Sequence, residues 1–235
     1  MRRTVFLVAL ALAFCGFTAL GVWQVQRLHW KHALIARVDA RIHAEPVALP
    51  ARKDWPQASA ARDEYRHVVV TGEYLRNADT RVQAVTERGP GGWLLTPLRD
   101  DGGDAVLVNR GFVPSDWKGD VAPPAGHVRV IGLLRMSEPN GAFLRRNDPA
   151  HDRWYSRDVA AIAQARSLGD VAPWFVDAER DANAPEWPAG GMTVVRFRDQ
   201  HLQYALTWFA LAALSLFAAW RVYTSRDAGR PRHHA

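Results

Sequence analysis

Cysteine is nearly absent: the 235 residues contain one, Cys15, and it lies inside a long apolar run. The rest of the chain therefore forms no internal disulfide and holds no thiolate zinc site. A Cys-x-x-Cys-His motif for covalent haem attachment is missing, and copper delivery through paired cysteines is excluded. The common catalytic signatures are missing too. There is no His-Glu-x-x-His, no Gly-x-Ser-x-Gly, no P-loop and no dinucleotide-binding glycine fingerprint. Acidic residues such as Asp63, Glu64, Glu73 and Glu87 show no pairing that points to acid–base work. A mean hydropathy of -0.21 excludes a polytopic transporter. The net charge of +6 fits a basic protein facing anionic lipid. No run of Lys and Arg interleaved with aromatics points to a nucleic-acid groove.

What apolar sequence there is lies in two runs. No charge occurs from Thr4 to Gln26 or from Leu202 to Trp220. At 1.5 Å per residue each run crosses a hydrocarbon core of about 30 Å. The first could be a secretory signal, since Arg2 and Arg3 precede it. It is longer than a signal core, however, and its small-residue site Ala11-Leu12-Ala13 lies inside it. Phe14 precedes Cys15 where a lipoprotein signal needs a small residue. A retained anchor is expected. Trp23 and Trp30 suit an interfacial aromatic belt, and Arg27 and Lys31 can snorkel. Leu28, Ile35, Val38 and Ile42 recur at helical spacing, so the helix should continue amphipathically towards Pro46. Trp208, Trp220 and Tyr223 mark the two belts of the second span. Small residues four apart, Ala9/Ala13 and Ser215/Ala219, permit close helix packing.

The expected division is a tail (1–3), a first transmembrane helix (4–26), an amphipathic extension and linker (27–60), an exported domain (61–200), a second transmembrane helix (202–223) and a tail (224–235). Basic residues flank both surfaces, so charge alone does not orient the spans. The short N-terminal tail and the long middle segment favour both termini in the cytoplasm and the central domain outside.

In the middle domain, strand-like runs bounded by turn formers cover Tyr65–Tyr74, Arg81–Glu87, Trp93–Leu98, Ala105–Val113 and His127–Met136. The run Asp100-Asp101-Gly102-Gly103-Asp104 reads as a solvated hairpin turn. Arg157–Leu168 is a short helix candidate with Ser156 as cap, Val159 and Ile162 facing inward and Gly169 ending it. A last strand is expected at Trp174–Asp177. The fold class is thus a membrane protein, α+β, with two transmembrane helices flanking an antiparallel sheet or small barrel and one or two short helices.

Two places carry chemistry. His201 immediately precedes the second apolar run, with Tyr204 and Trp208 at i+3 and i+7 on the same helical face. A neutral imidazole there either anchors at the interface or ligates haem iron. Arg27, at matching depth on the first helix, either snorkels or meets a propionate. The second place is Asn109-Arg110-Gly111. It reads as a strand ending in a glycine bulge, or as an arginine displayed for an anion or a partner protein.

These residues also carry a resemblance. The run Leu20-Gly21-Val22-Trp23-Gln24-Val25-Gln26-Arg27-Leu28-His29-Trp30-Lys31 resembles the first-helix signature of the Surfeit locus protein 1 family. Gly72-Glu73-Tyr74, Gly92 to Pro97, Val106 to Pro114, Trp154-Tyr155 with Asp158, and His201 to Phe209 agree in the same order. Phe112 stands where Trp is common in the family and Val25 where Leu is common, while 33–60 and the tail after Thr224 match no family motif. The resemblance implies two transmembrane helices around an exported domain, and a non-enzymatic factor for cytochrome c oxidase assembly in the inner membrane. It implies transient haem a binding with His201 as the iron ligand. It also implies partnership with oxidase subunit I and with haem a biosynthesis and assembly factors. The absence of a transit-like leader before the first helix points to a bacterial member. A cofactor-free scaffold for an oxidase intermediate is the alternative, and a membrane-tethered enzyme a third reading.

Overall fold

The computed structural model describes residues 2–139, 141, 145–193 and 199–225. They fall into two compact units. One is a pair of helices: α1 (Arg2–Ile42) up to Arg37, and α4 (His201–Thr224). The other holds the strands and the short helices.

The helix pair is antiparallel. Arg3, at the start of α1, donates to the carbonyls of Val222 and Tyr223 near the end of α4. Covered positions on α1 include Leu7, Leu10, Phe14, Phe17, Gly21, Gln24 and Leu28. On α4 they are His201, Ala205, Trp208, Leu211, Ala212, Ser215, Ala218, Ala219 and Val222. Steps that alternate between three and four residues along both helices give the 3.5-residue repeat of a left-handed pair. The helices approach closely at Gly21, where a Cβ would lie 2.6 Å from the Phe209 ring. Trp208 stacks on Phe17, with ring centroids 5.7 Å apart. Of the small residues expected to pack, Ser215 is buried and Ala219 half-buried, but Ala9 points away from the seam. Both helices are long and apolar enough to cross a membrane. Their outward faces expose Val5, Leu12, Leu206 and Phe217, as lipid contact requires.

In the second unit, α1 runs on to Ile42, four residues short of Pro46, as its periodicity predicts. The expected linker is not bare. It contains β1 (Val47–Ala48), a 3-10 turn at Arg52–Gln57 and the start of α2 (Ala60–Asp63). Trp55 in this stretch packs edge-on against Trp174. The strands follow as β2 (His67–Tyr74), β3 (Thr80–Thr86), β4 (Gly89–Asp100), β5 (Ala105–Pro114), β6 (His127–Met136) and β7 (Val171–Ala178). Each expected strand is present, with ends moved by a few residues. The order β2-β6-β7-β5-β4 closes on itself through pairing of β2 with β4, giving a five-stranded barrel. β3 extends β4 outside the ring.

The sheet is mixed rather than antiparallel, because β5 and β7 run parallel. The connection between them carries α3 (Val159–Ala165), and a parallel neighbour needs such a crossover. Alternation along the strands separates two cores. Val68, Val70, Leu98, Val106, Val108, Leu134, Trp174 and Val176 come from all five barrel strands and fill the interior. Leu95, Leu107 and Phe175 point out and are covered by Val82, Trp154 and the α3 residues Val159 and Ile162. The α3 cap is Asp158, whose carboxylate accepts from Ala161 N, and not the expected Ser156. Ser156 is instead held by Asn147 and Gly141 N. The Asp100–Asp104 turn forms as expected, with Gly103 at φ +85° and Asp100 Oδ1 accepting from Asp104 N.

Buried carboxylates tie the short elements to the barrel. Asp63 is fully buried and accepts from Ser59 N, Arg62 and Arg66. Burial pushes its carboxyl up, but these donors outweigh burial and hold it below the usual carboxylate range. The resulting stabilisation is present above the ordinary value of about 3.9. It is lost as pH falls through the depressed value. Asp63→Asn is therefore expected to cost about 1–3 kcal/mol at neutral pH. The gap to the parent should close on acidification below about pH 4, as urea unfolding at the two pH values would show.

Candidate functional site at the paired helices

Within the seam between α1 and α4, Gln24 and His201 meet side chain to side chain. Gln24 is only 9% exposed. A buried amide among apolar side chains needs a partner, and Gln24 finds it in the imidazole. Oε1 of Gln24 lies 2.7 Å from Nδ1 of His201. With the amide oxygen facing the ring, a neutral imidazole donates from Nδ1 and keeps its lone pair on Nε2. Nε2 has no hydrogen-bond partner among the described residues.

A second contact holds the first turn of α4. Asp199 accepts from His201 N at 3.1 Å, satisfying one of the orphan donors of the helix start. The other oxygen of Asp199 lies 2.9 Å from His32 Nε2 on α1. Burial raises the Asp199 carboxyl, but the His201 N–H and His32 prevail and hold it below its ordinary range. The ring of His201 is thus fixed from two sides: the backbone through Asp199 and the imidazole through Gln24.

The other residues singled out from the sequence are placed as follows. Trp208 lies in the seam beside Phe17, two helical turns from His201. Tyr204 is 51% exposed and flanks the seam rather than lying in it. Arg27 is exposed, with its guanidinium 4.7 Å above the Trp30 ring. In the other unit, Asn109 is buried, donates to Asp177 Oδ1 and accepts from Gly111 N. Arg110 is half-buried and donates to the carbonyls of Val121 and Ala122. Arg196 and Arg198, two of the basic residues that flank the second span, lie outside the described residues. The residue that sequence reasoning passed over is Gln24. It sits inside the quoted first-helix motif, and its polarity within an uncharged run was the available signal.

Chemically, the arrangement presents one neutral imidazole nitrogen at the end of an apolar helix pair. Among the described residues, no three His, Cys, Asp or Glu side chains converge on a common metal position.

Two membrane-length helices bracketing a small closed barrel define a membrane-anchored β-barrel protein. A family model described as the SURF1 family matches residues 11–213. Surfeit locus protein 1 of Mus musculus is 35% identical over 230 residues, covering 88% of this chain and 72% of the relative. The Homo sapiens protein of that name is 36% identical over 222 residues, covering 84% and 71%. A SURF1-like protein of Monosiga brevicollis is 36% identical over 231 residues, covering 89% and 84%. The chain belongs to the SURF1 family.

Proposed function

We propose that the chain is a non-enzymatic assembly factor for cytochrome c oxidase. In this reading it holds haem a transiently at His201 and passes it to the catalytic subunit, subunit I, in concert with haem a biosynthesis and assembly factors. Family membership supports the assembly role. The observation that supports the cofactor is the Gln24–His201 contact, in which an amide oxygen can hold the Nδ1–H tautomer and leave Nε2 for a ligand bond. Haem-ligating histidines characteristically donate the other ring nitrogen to a fixed acceptor, which orients the ring and raises its basicity. The residues present therefore fit a haem that would be held by the His201 imidazole.

When bound, haem a supplies an iron that accepts the imidazole lone pair, with a flat apolar ring around it. Tyr204 and Trp208 offer aromatic surface within two turns of His201, and Arg27 a cation for a propionate. Exposed apolar positions such as Leu202 and Leu206 keep the surroundings lipid-like. A single ligand from the protein and a partly lipid-facing ring suit reversible holding. The site belongs at the outer face of a bacterial inner membrane, with both termini cytoplasmic and the barrel periplasmic.

The test is the visible spectrum of the chain purified from cells that make haem a. A haem a spectrum that His201→Ala removes supports the reading. Equal haem content and an identical spectrum in His201→Ala would overturn the ligand assignment. A colourless protein that still co-purifies with the catalytic subunit would replace it with a cofactor-free scaffold.

A further inference from the structure

The barrel wall has an opening. β7 ends at Ala178, next to Gly132 of β6. The first half of β6, His127–Ile131, therefore has β2 on one side and no strand on the other. β5 loses the same neighbour beyond Asn109, its last partner in β7 being Asp177. The chain after β7 crosses the gap and rejoins β5 where Ala189 pairs with Phe112. A cavity of about 620 Å³ fills the opening. Its walls include Val128, Val130, Ile131 and Pro188, with Tyr74 and Arg110 at its inner end. That volume lies within the range of small-molecule sites.

Arg110 is the residue that gives the cavity a chemistry. It is the extra residue of a bulge in β5: Leu94 pairs with Gly111 and Leu95 with Asn109. Gly111 has a φ of +132°, and a Cβ there would lie 2.2 Å from the Ala189 carbonyl carbon, so glycine is required for the bulge to close. The bulge sends the guanidinium 5.7 Å from the Tyr74 ring centroid. It donates to the neutral carbonyls of Val121 and Ala122, at 2.6 and 2.9 Å. A guanidinium has five N–H donors, so among the described residues these two bonds leave others unused. Asp79 and Asp120 act on it only at a distance. Both are engaged elsewhere: Asp79 accepts from the Thr96 hydroxyl and Asp120 from Ala122 N. Burial pulls the Arg110 pKa down more than the distant Asp79 and Asp120 raise it, and no residue among those described forms a salt bridge with it. The Tyr74 phenol beside it is pushed up to about 12 by burial, so it stays a neutral hydroxyl.

Four further charges lie on the rim. Glu179 Oε1 lies 3.0 Å from His67 Nε2, and Asp181 accepts from Asn183 N. Arg129 and Arg180 add positive charge. The two rim arginines and two rim acids balance, so the half-buried Arg110, with apolar side chains beside it, sets the charge preference of the cavity and is complementary to one class of molecule. We propose that this opening binds a small amphipathic carboxylate, with the carboxylate on Arg110 and the apolar body against Val128, Val130 and Ile131. The site lies within the barrel unit and is independent of the haem reading.

The test uses the full-length chain in phosphatidylcholine nanodiscs, titrated with 2-naphthoate, octanoate and the uncharged 2-naphthamide. The arginine side-chain Nε–H resonance of Arg110 is followed, assigned by its loss in Arg110→Lys. Saturable one-to-one binding of a carboxylate that shifts this resonance is expected, with the amide at least about tenfold weaker. Preference for octanoate would identify an acyl chain as the natural body, and preference for naphthoate a flat ring. Arg110→Met should weaken the carboxylate by about tenfold or more and leave the amide unchanged. Should that variant fail to fold, the resonance shift in the parent protein still decides. Equal binding of acid and amide, binding that leaves Arg110 unmoved, or no binding of either carboxylate at millimolar concentration would overturn the proposal.

Discussion

Asp177→Ala is expected to destabilise the barrel by about 3–5 kcal/mol, the cost of stranding buried charges. The Asp177 side chain is 3% exposed, and both oxygens are committed. Oδ1 accepts from Asn109 and Arg157, and Oδ2 from Arg135 and Thr193. The arginines continue outward: Arg135 to Glu64, and Arg157 to Glu138. This single carboxylate therefore joins β5, β6, β7 and Arg157, which precedes the α3 cap Asp158. Its removal leaves two guanidinium groups, each about 15% exposed or less, without their central partner. Stabilities of small domains are about 5–15 kcal/mol, so the loss is a large fraction of the total. Pulse proteolysis in urea on the nanodisc-embedded chain would measure it. Coupling with Arg157→Ala in a double-mutant cycle should exceed that of an exposed pair such as Arg52 with Asp104. A midpoint shift no larger than that of the exposed pair would show that the network adds little to stability.

The second large effect belongs to the helix pair. Gln24→Met is expected to weaken haem retention about 10- to 100-fold, the usual consequence of removing the acceptor behind a ligating histidine. Methionine matches the amide in length and packs readily in an apolar seam, so the helices should still pair. Gln24→Glu keeps an acceptor on Nδ1 and should retain haem. A loss in the methionine variant without a loss in the glutamate variant separates positioning of the imidazole from simple disruption of packing. Equal retention in both would mean that Gln24 does not prepare His201.

The sequence and the structure agree most where the physics is local. Two uncharged runs become two membrane-length helices. Alternation places β2 to β7 within a few residues of where turn formers bound them. What escaped the sequence depends on residues far apart in the chain. Barrel closure rests on Gly72 to Tyr74 of β2 meeting Leu98 to Asp100 of β4, and no local period reports that pairing. The parallel β5–β7 pair depends on a crossover whose helix was legible and whose destination was not. The Pro- and Ala-rich stretch looked like a linker because its one anchoring aromatic, Trp55, finds its partner at Trp174. Asp158 rather than Ser156 caps α3 because Ser156 is drawn into the Asn147 contact instead. At the site, His201 was legible from its place before an apolar run. Gln24 was not, since its significance is a contact 177 residues away in sequence.

The most direct test of the central claim, that His201 Nε2 is the ligand this helix pair presents, is rescue by a free ligand. His201→Gly in nanodiscs, purified from cells that make haem a, is expected to lose haem and to regain it when imidazole is added. The visible spectrum of the rescued protein should then match the parent. Haem that remains in His201→Gly without imidazole, with the parent spectrum, would contradict the account.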